Sequence, residues 1–268
     1  MTKSNDRQGS VHGKVAVITG AGSGIGRAAA LRLAEEGARI ALVDVKEERV
    51  ADVRKRILDA GGDAIAIEAD ISKPEDIESA IQEAAGKWDR LDIVFANAGV
   101  NGTLAPIEKM TPEDWDTTLD INLKGTFLTV KYAIPFLKKN GGSIVITSSI
   151  NGNRVFSNFG FSAYSTSKAG QVAFMQMAAL ELGQYGIRVN AICPGAIKTH
   201  IDQNTHPTPE LEEIRIPVEF PEGDHPLGDG PGRASQVGDL VLFLASDASS
   251  HITGTPIFID GAESLLHG

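Results

Sequence analysis

The chain has 268 residues, 42% hydrophobic and 22% charged, with 25 basic against 35 acidic side chains and a formal charge of −10. An α/β domain reaches about 250 residues as one unit, so one full core is expected rather than two domains. The acidic balance disfavours nucleic acid and anionic membrane surfaces as partners, and no apolar run approaches the roughly 18 residues that cross a bilayer. The lone Cys193 has no partner for a disulfide within the chain, and residues 1–13 lack the apolar stretch of a secretory signal. A cytoplasmic protein is the expectation.

Residues 1–13 read as a flexible N-terminal extension, ahead of one domain over 14–268. Lys14 to Gly20 is a β-branched run, Gly24 to Gly37 an Ala/Leu-rich helical pattern ending on a glycine stop, and Arg39 to Asp44 a second apolar run. Together they predict a βαβ unit. Further strands are expected at Ala64–Ala69, Asp92–Ala96, Ser143–Thr147, Arg188–Ile192 and Pro256–Asp260, all buried or half-buried by pattern. Helices are expected at Pro74–Ala85, with Ser72 in the cap region, at about Thr111–Leu137, and at Ser162–Gln184. Seven strands with helical crossovers predict a single-domain, Rossmann-type doubly wound parallel α/β sheet, helices on both faces, with a ligand crevice at the strands' carboxyl ends. His200 to Arg233 breaks the rhythm with six of the twelve prolines, and a loop of that length reads as a lid over the crevice.

Between the first strand and first helix stands Thr19-Gly-Ala-Gly-Ser-Gly-Ile-Gly26. Gly20 permits a tight turn, Gly24 lets the backbone approach an anion, and Gly26 lets helix and strand pack closely. Free N–H groups at the helix start then attract a pyrophosphate. Asp44 follows 18 residues after Gly26, where a carboxylate accepts hydrogen bonds from an adenosine ribose and repels a 2′-phosphate. NAD is expected over NADP, with Lys46 as a partial offset. Asp70, at the end of the third strand, is expected beside adenine or as a cap before Pro74.

Tyr164 and Lys168 share one helix face at i, i+4 spacing. A phenol is a weak base at neutral pH, and an adjacent ammonium favours phenolate. With Asn97-Ala-Gly99, Asn122, Ser148-Ser149, Pro194-Gly195 and Thr199, and the C-terminal Leu244-Ala-Ser-Asp247 and Ile259-Asp-Gly261, the chain from Lys14 to Leu266 resembles the short-chain dehydrogenase/reductase family. The resemblance implies that Tyr164 is the general acid/base, Lys168 lowers its pKa and holds the nicotinamide ribose, Ser149 bonds the substrate oxygen, and Asn122 positions a water in a proton relay. Ser148 remains an alternative to Ser149, because the Ser-to-Tyr spacing is two residues longer than the family's. The resemblance further implies dinucleotide contacts at Gly20, Ser23, Gly24, Ile25, Gly26, Asp44, Asp70, Ile71, Asn97, Ala98, Gly99, Tyr164, Lys168, Pro194, Gly195, Ile197 and Thr199. Ala96 and Ala262 stand where the family has an asparagine and a glycine.

Asn151, Asn153, Phe156, Phe159 and the proline-rich segment are expected around the substrate, with Ser149 and Tyr164. The histidines at 12, 200, 206, 225, 251 and 267 show no ligand spacing, so no metal is expected. The 200–233 segment carries eight acids against Arg215 and Arg233, a surface that should repel acyl carrier protein or coenzyme A. The expected reaction is therefore hydride transfer between NAD(H) and a neutral secondary alcohol or ketone, such as a sugar, polyol or cyclic alcohol. A 3-oxoacyl-thioester reductase is the alternative enzyme, and a non-catalytic NAD-binding regulatory module the alternative of another class. By resemblance the helices at 111–137 and 162–184 and the C-terminal segment pair subunits, implying a homotetramer.

Overall fold

The computed structural model describes residues 9–199, 201–214, 216, 225–228 and 230–266. All seven expected strands form: β1 Val15–Thr19, β2 Arg39–Asp44, β3 Asp63–Glu68, β4 Ile93–Ala96, β6 Gly142–Thr147, β7 Ile187–Pro194 and β11 Pro256–Ile259. They make one sheet in the order β11-β7-β6-β4-β1-β2-β3, every pair parallel. Side-chain alternation splits the core in two. Val15, Val17 and Val94 face one side, covered by α3 (Pro74–Trp88), α5 (Gly125–Leu137) and α6 (Ser162–Leu182). Ala16, Ile18 and Phe95 face the other, covered by α1 (Gly24–Glu35), α2 (Glu47–Asp59) and α7 (Ala234–Ala245). Buried on both faces, the strands could not show a two-residue hydrophobic period, which is why they read as continuous apolar runs.

Strand order reverses between β1 and β4, so their carboxyl ends diverge and open a crevice. Asn97 ties its floor together. Its N–H and that of Ala98 donate to Thr19 Oγ1 at 3.0 and 3.1 Å, its Nδ2 donates to the Thr19 carbonyl at 3.1 Å, and its Oδ1 accepts from Thr147 Oγ1 at 3.1 Å. One side chain thereby joins the ends of β1, β4 and β6.

Four shorter strands lie outside the main sheet. β5 (Gly102–Leu104) pairs with β9 (Thr205–Pro207), and β8 (Ile197–Lys198) with β10 (Gly232–Arg233). They fasten parts of the irregular 200–233 segment to the crevice rim. Short pairings between distant loops carry little local pattern, so the sequence gives no sign of them. His200, Arg215, residues 217–224 and Asp229 of that segment lie outside the described residues, as do residues 1–8 and His267.

Three local expectations change. The helix expected over 111–137 is α4 (Pro112–Leu119), a π-helical turn at Asp120–Lys124, and α5. Ser72 does not cap α3: the cap position is Lys73, and the Ser72 hydroxyl donates to Asp70 Oδ1 at 2.7 Å. The extension expected through residue 13 is already packed from Gly9, because Val11 is fully buried against the α1–α2 side of the core and Gly13 N–H donates to the Gly37 carbonyl. A lone valine in a polar stretch has no periodicity to announce its burial.

Candidate active site

A cavity of about 580 Å³ runs along the carboxyl ends of the strands. At one end is the glycine-rich turn. Gly20 has φ +65°, and a Cβ there would stand 2.9 Å from Ala98 Cα; a Cβ on Gly26 would stand 2.1 Å from the Gly20 carbonyl oxygen. Both clashes are with backbone, so only glycine fits. Gly26 itself does not line the cavity; it is buried and sets the approach of α1 to β1. Ser23, Gly24 and Ile25 line the space at the start of α1, where free N–H groups and the helix dipole favour an anion.

Asp44 ends β2 at the same end of the cavity, only 7% exposed. Its Oδ2 accepts from Gly22 N–H at 3.1 Å and its Oδ1 from Val45 N–H at 2.9 Å. The cation beside it is Arg49, whose Nη1 lies 3.7 Å from Oδ1 and which lines the cavity, whereas Lys46 does not. Sequence reasoning named the wrong cation because the first turn of α2 carries Arg49 back over Asp44, while the extended backbone of Lys46 carries it away. Asp70 lines the cavity and also closes a turn. Burial would raise its carboxyl, but hydrogen bonds from Ser72 and the nearby Lys73 hold it below its ordinary value. Ile71, Asn97, Ala98 and Gly99 continue the wall.

At the other end the first turns of α6 bring Tyr164 and Lys168 beside the end of β6. Lys168 is almost fully buried; its Nζ donates to the Thr147 carbonyl at 2.9 Å and sits 5.5 Å from the Tyr164 ring centroid. Phe161 packs edge-on against Tyr164 at 5.5 Å. Burial brings Lys168 down to about 8. Burial also pushes the Tyr164 phenol up, and a hydrogen bond with Ser149 opposes the rise. Desolvation outweighs that hydrogen bond, so the phenol stays protonated above its ordinary range.

The two serines are distinguished by their bonds. Ser148 Oγ donates to the Lys168 carbonyl at 2.8 Å and accepts from Asn153 Nδ2 at 3.1 Å, so it is committed to the scaffold. Ser149 Oγ bonds Tyr164 and accepts from Asn151 N–H at 3.1 Å. The Ser149–Tyr164 pair presents two hydroxyls to the cavity.

Asn122 occupies the π-helical turn and is fully buried. Its Oδ1 accepts from Val100 N–H at 2.8 Å, and its Nδ2 donates to the Val100 carbonyl at 2.9 Å and to Ser167 Oγ at 3.1 Å. Its own carbonyl already accepts from Thr126 Oγ1 at 2.7 Å and from Gln171 Nε2 at 2.8 Å. A relay water on this residue would have to displace one of those donors. What the geometry gives Asn122 is the strapping of the Ala98–Val100 wall to α6.

Of the residues expected around the substrate, Asn151 lines the cavity. Phe156 does not: it is 71% exposed and points away. Asn153 and Phe159 also lie outside the lining. The cause is a tight loop in which Asn151 bridges to Val155 and Val155 buries itself under Ile150, which turns the next residue outward. Asn101, Asn158, Phe161, Asn204 and Glu263 take those places in the wall. They come from four separate segments, and no motif links them. Pro194, Gly195, Ile197 and Thr199 line the cavity as expected. Among the described residues no group of three or more His, Cys, Asp or Glu side chains is placed to hold a metal, and none of the helices is long and apolar enough to cross a membrane.

The glycine cradle, which a Cβ would fill, and the acid at the end of β2 fit the phosphates and adenosine of a nicotinamide dinucleotide. When bound, that group supplies the hydride acceptor or donor. The chain places the Tyr164 and Ser149 hydroxyls in the wall of the same cavity, where a proton and a hydrogen bond could be offered to a bound oxygen. Fold and site thus define a dinucleotide-dependent oxidoreductase acting on a CH–OH group or its ketone.

The chain belongs to the short-chain dehydrogenase/reductase family. A family model described as enoyl-(acyl carrier protein) reductase matches residues 20–262. Cyclohexanol dehydrogenase of Acinetobacter sp. (strain SE19) is 36% identical over 250 residues, covering 93% of this chain and 94% of that protein. The crystal structure of a 3-ketoacyl-ACP reductase from Sinorhizobium meliloti 1021 superposes with a TM-score of 0.89 at 49% identity, covering 94% of this chain and 99% of that one. That of carveol dehydrogenase from Mycobacterium avium in complex with NAD gives 0.83 at 33% identity, covering 96% and 99%.

Proposed function

We propose that the protein transfers hydride between NAD(H) and a neutral secondary alcohol or ketone, such as a cyclic alcohol, polyol or sugar, with Tyr164 as acid/base, Ser149 on the substrate oxygen and Lys168 supporting both phenol and ribose. The observation that carries this reading is the wall around Tyr164. The cavity offers the amides of Asn101, Asn151, Asn158 and Asn204 and the apolar Phe161, and its cations among the described residues are Arg49, which faces Asp44, and Lys168, buried against the Thr147 carbonyl. Asp44 supports NAD over NADP, since its charge opposes a 2′-phosphate. The acids of the short turn after β9, Glu210, Glu212 and Glu213, disfavour an anionic phosphopantetheine carrier.

The thioester reading has its own support in the 49% identical neighbour titled a 3-ketoacyl-ACP reductase. Steady-state rates decide between them. With purified protein, cyclic alcohols, polyols and sugars with NAD are expected to give higher kcat/KM than acetoacetyl thioesters with NADPH; the reverse order overturns the neutral-alcohol reading. A cytoplasmic homotetramer fits the buried free thiol of Cys193 and the apolar side chains left exposed on α5 and α6, Phe127 at 44%, Met177 at 68% and Leu180 at 82%. Light scattering that returned the 28.3 kDa of one chain would refute the tetramer.

A further inference from the structure

Glu263 is an acid in the cavity wall that belongs to none of the motifs described above. It begins a short 3₁₀ turn, Glu263–Leu265, just after β11. The backbone ahead of it is pinned: Asp260 Oδ1 accepts from Ala262 N–H at 3.2 Å, and Asp260 Oδ2 accepts from Ser264 N–H at 3.0 Å. Ala262 is forced to φ +70°, a left-handed conformation unfavourable for any residue with a Cβ. Strain of this kind persists only where the surroundings over-determine the backbone, and it gathers at functional sites. Its result here is a fixed carboxylate. Glu263 Oε2 accepts from Ala196 N–H at 2.8 Å, next to the Pro194-Gly195 turn, and a Cβ on Gly195 would stand 2.4 Å from that oxygen.

The charges lining the cavity are unevenly placed. Asp44 and its partner Arg49 lie by the glycine turn and Asp70 just after β3; Lys168 lies beside Tyr164, and Glu263 is held on Ala196, two residues past Pro194, whose carbonyl accepts from Ile150 N–H next to Ser149. Lys168 is buried against the Thr147 carbonyl, whereas Glu263 is only half-buried and lines the cavity. A carboxylate in a partly enclosed wall acts at higher strength than on an open surface, because less water screens it.

We propose that Glu263 is a specificity-determining residue: its carboxylate, immobilised on Ala196 N–H, rejects substrates with an anionic group near the reacting carbinol and admits uncharged ones. The proposal rests on the neutral-alcohol reading above and names the residue that enforces it. The test uses two compounds that differ by one charge, cyclohexanol and 3-hydroxycyclohexanecarboxylate, on the full-length protein with NAD. Glu263→Gln keeps an acceptor for Ala196 N–H and removes the charge, while Glu263→Leu removes both. In Glu263→Gln the kcat/KM ratio of carboxylate to cyclohexanol is expected to rise about tenfold, through KM rather than kcat, and wild-type discrimination should weaken with added salt. A ratio within twofold of wild type in Glu263→Gln, or a common factor lost on both compounds, overturns the proposal. Calorimetric titration with cyclohexanecarboxylate, a non-reacting probe, separates the two readings. If wild type turned over neither ring alcohol, the substrate reading would fail, while tighter binding of this anion to Glu263→Gln would still support the role of Glu263 and unchanged binding would overturn it.

Discussion

Replacing Asn122 with alanine tests whether the strap between α6 and the cavity wall matters more than local helix geometry. The substitution removes three side-chain hydrogen bonds: one from Val100 N–H, one to the Val100 carbonyl and one to Ser167 Oγ. Ser167 keeps its bond to the Tyr164 carbonyl at 2.7 Å, so it loses little. Val100 loses partners for both of its backbone groups. At about 1 kcal/mol for each lost bond, and more for groups left buried without water, the cost is about 2–4 kcal/mol. For a chain of this size each kcal/mol moves Tm by roughly 2–4 °C, so a drop of about 5–15 °C is expected by calorimetry. Val100 adjoins Ala98 and Gly99, so the loosened wall should also weaken NAD, by about tenfold in a fluorescence titration. Ser167→Ala is the control, since it leaves both Val100 bonds in place. A Tm within about 2 °C of wild type, together with an unchanged NAD Kd, would show that Asn122 is not the strap described here.

Three further outcomes follow from the site. Tyr164→Phe should bind NAD about as well as wild type and lose about 10²–10⁴ in kcat, the usual worth of a positioned acid/base; comparable turnover would remove Tyr164 from the mechanism. Asp44→Ala removes a negative charge and leaves Arg49 without it, so the kcat/KM ratio of NADP to NAD should rise about ten- to a hundredfold; an unchanged ratio would mean that Asp44 does not read the ribose. Because burial holds the Tyr164 phenol protonated and sets Lys168 at about 8, oxidation, which needs phenolate, should accelerate with rising pH, while reduction, which needs the phenol and its charged lysine, should fall above about 8. A reduction rate that climbs through that range would contradict the assignment.

The architecture and the placing of the glycine turn and the Tyr164–Lys168 pair were legible in the chain because they rest on local signals. Two-sided burial writes itself as apolar runs, a helix start over an anion site needs Gly20, Gly24 and Gly26 in fixed order, and Tyr164 and Lys168 meet through one turn of helix. Where a residue's role depends on what folds back upon it, the sequence misplaces it. Lys46 and Arg49 are near neighbours in the chain, and only the turn into α2 decides which one reaches Asp44. Phe156 is aromatic and close to Ser149, yet the bridge from Asn151 to Val155 sends it to solvent. Ser148 and Ser149 are equivalent as text, and the backbone of α6 takes one while Tyr164 takes the other.

By itself, then, the sequence determined the doubly wound sheet, through the alternation of apolar runs and helical patterns, and the glycine-rich turn and the side-by-side placing of Tyr164 and Lys168, through spacing within single elements. The tertiary structure alone decided which cation faces Asp44, which serine faces Tyr164, that burial raises the phenol against its bond to Ser149, and that a carboxylate from the C-terminal end of the chain lines the cavity beside Ala196. The longest of these contacts joins residues 67 apart in the chain. Their geometry depends on how the packed layers bring the strand ends together, and no local pattern records that.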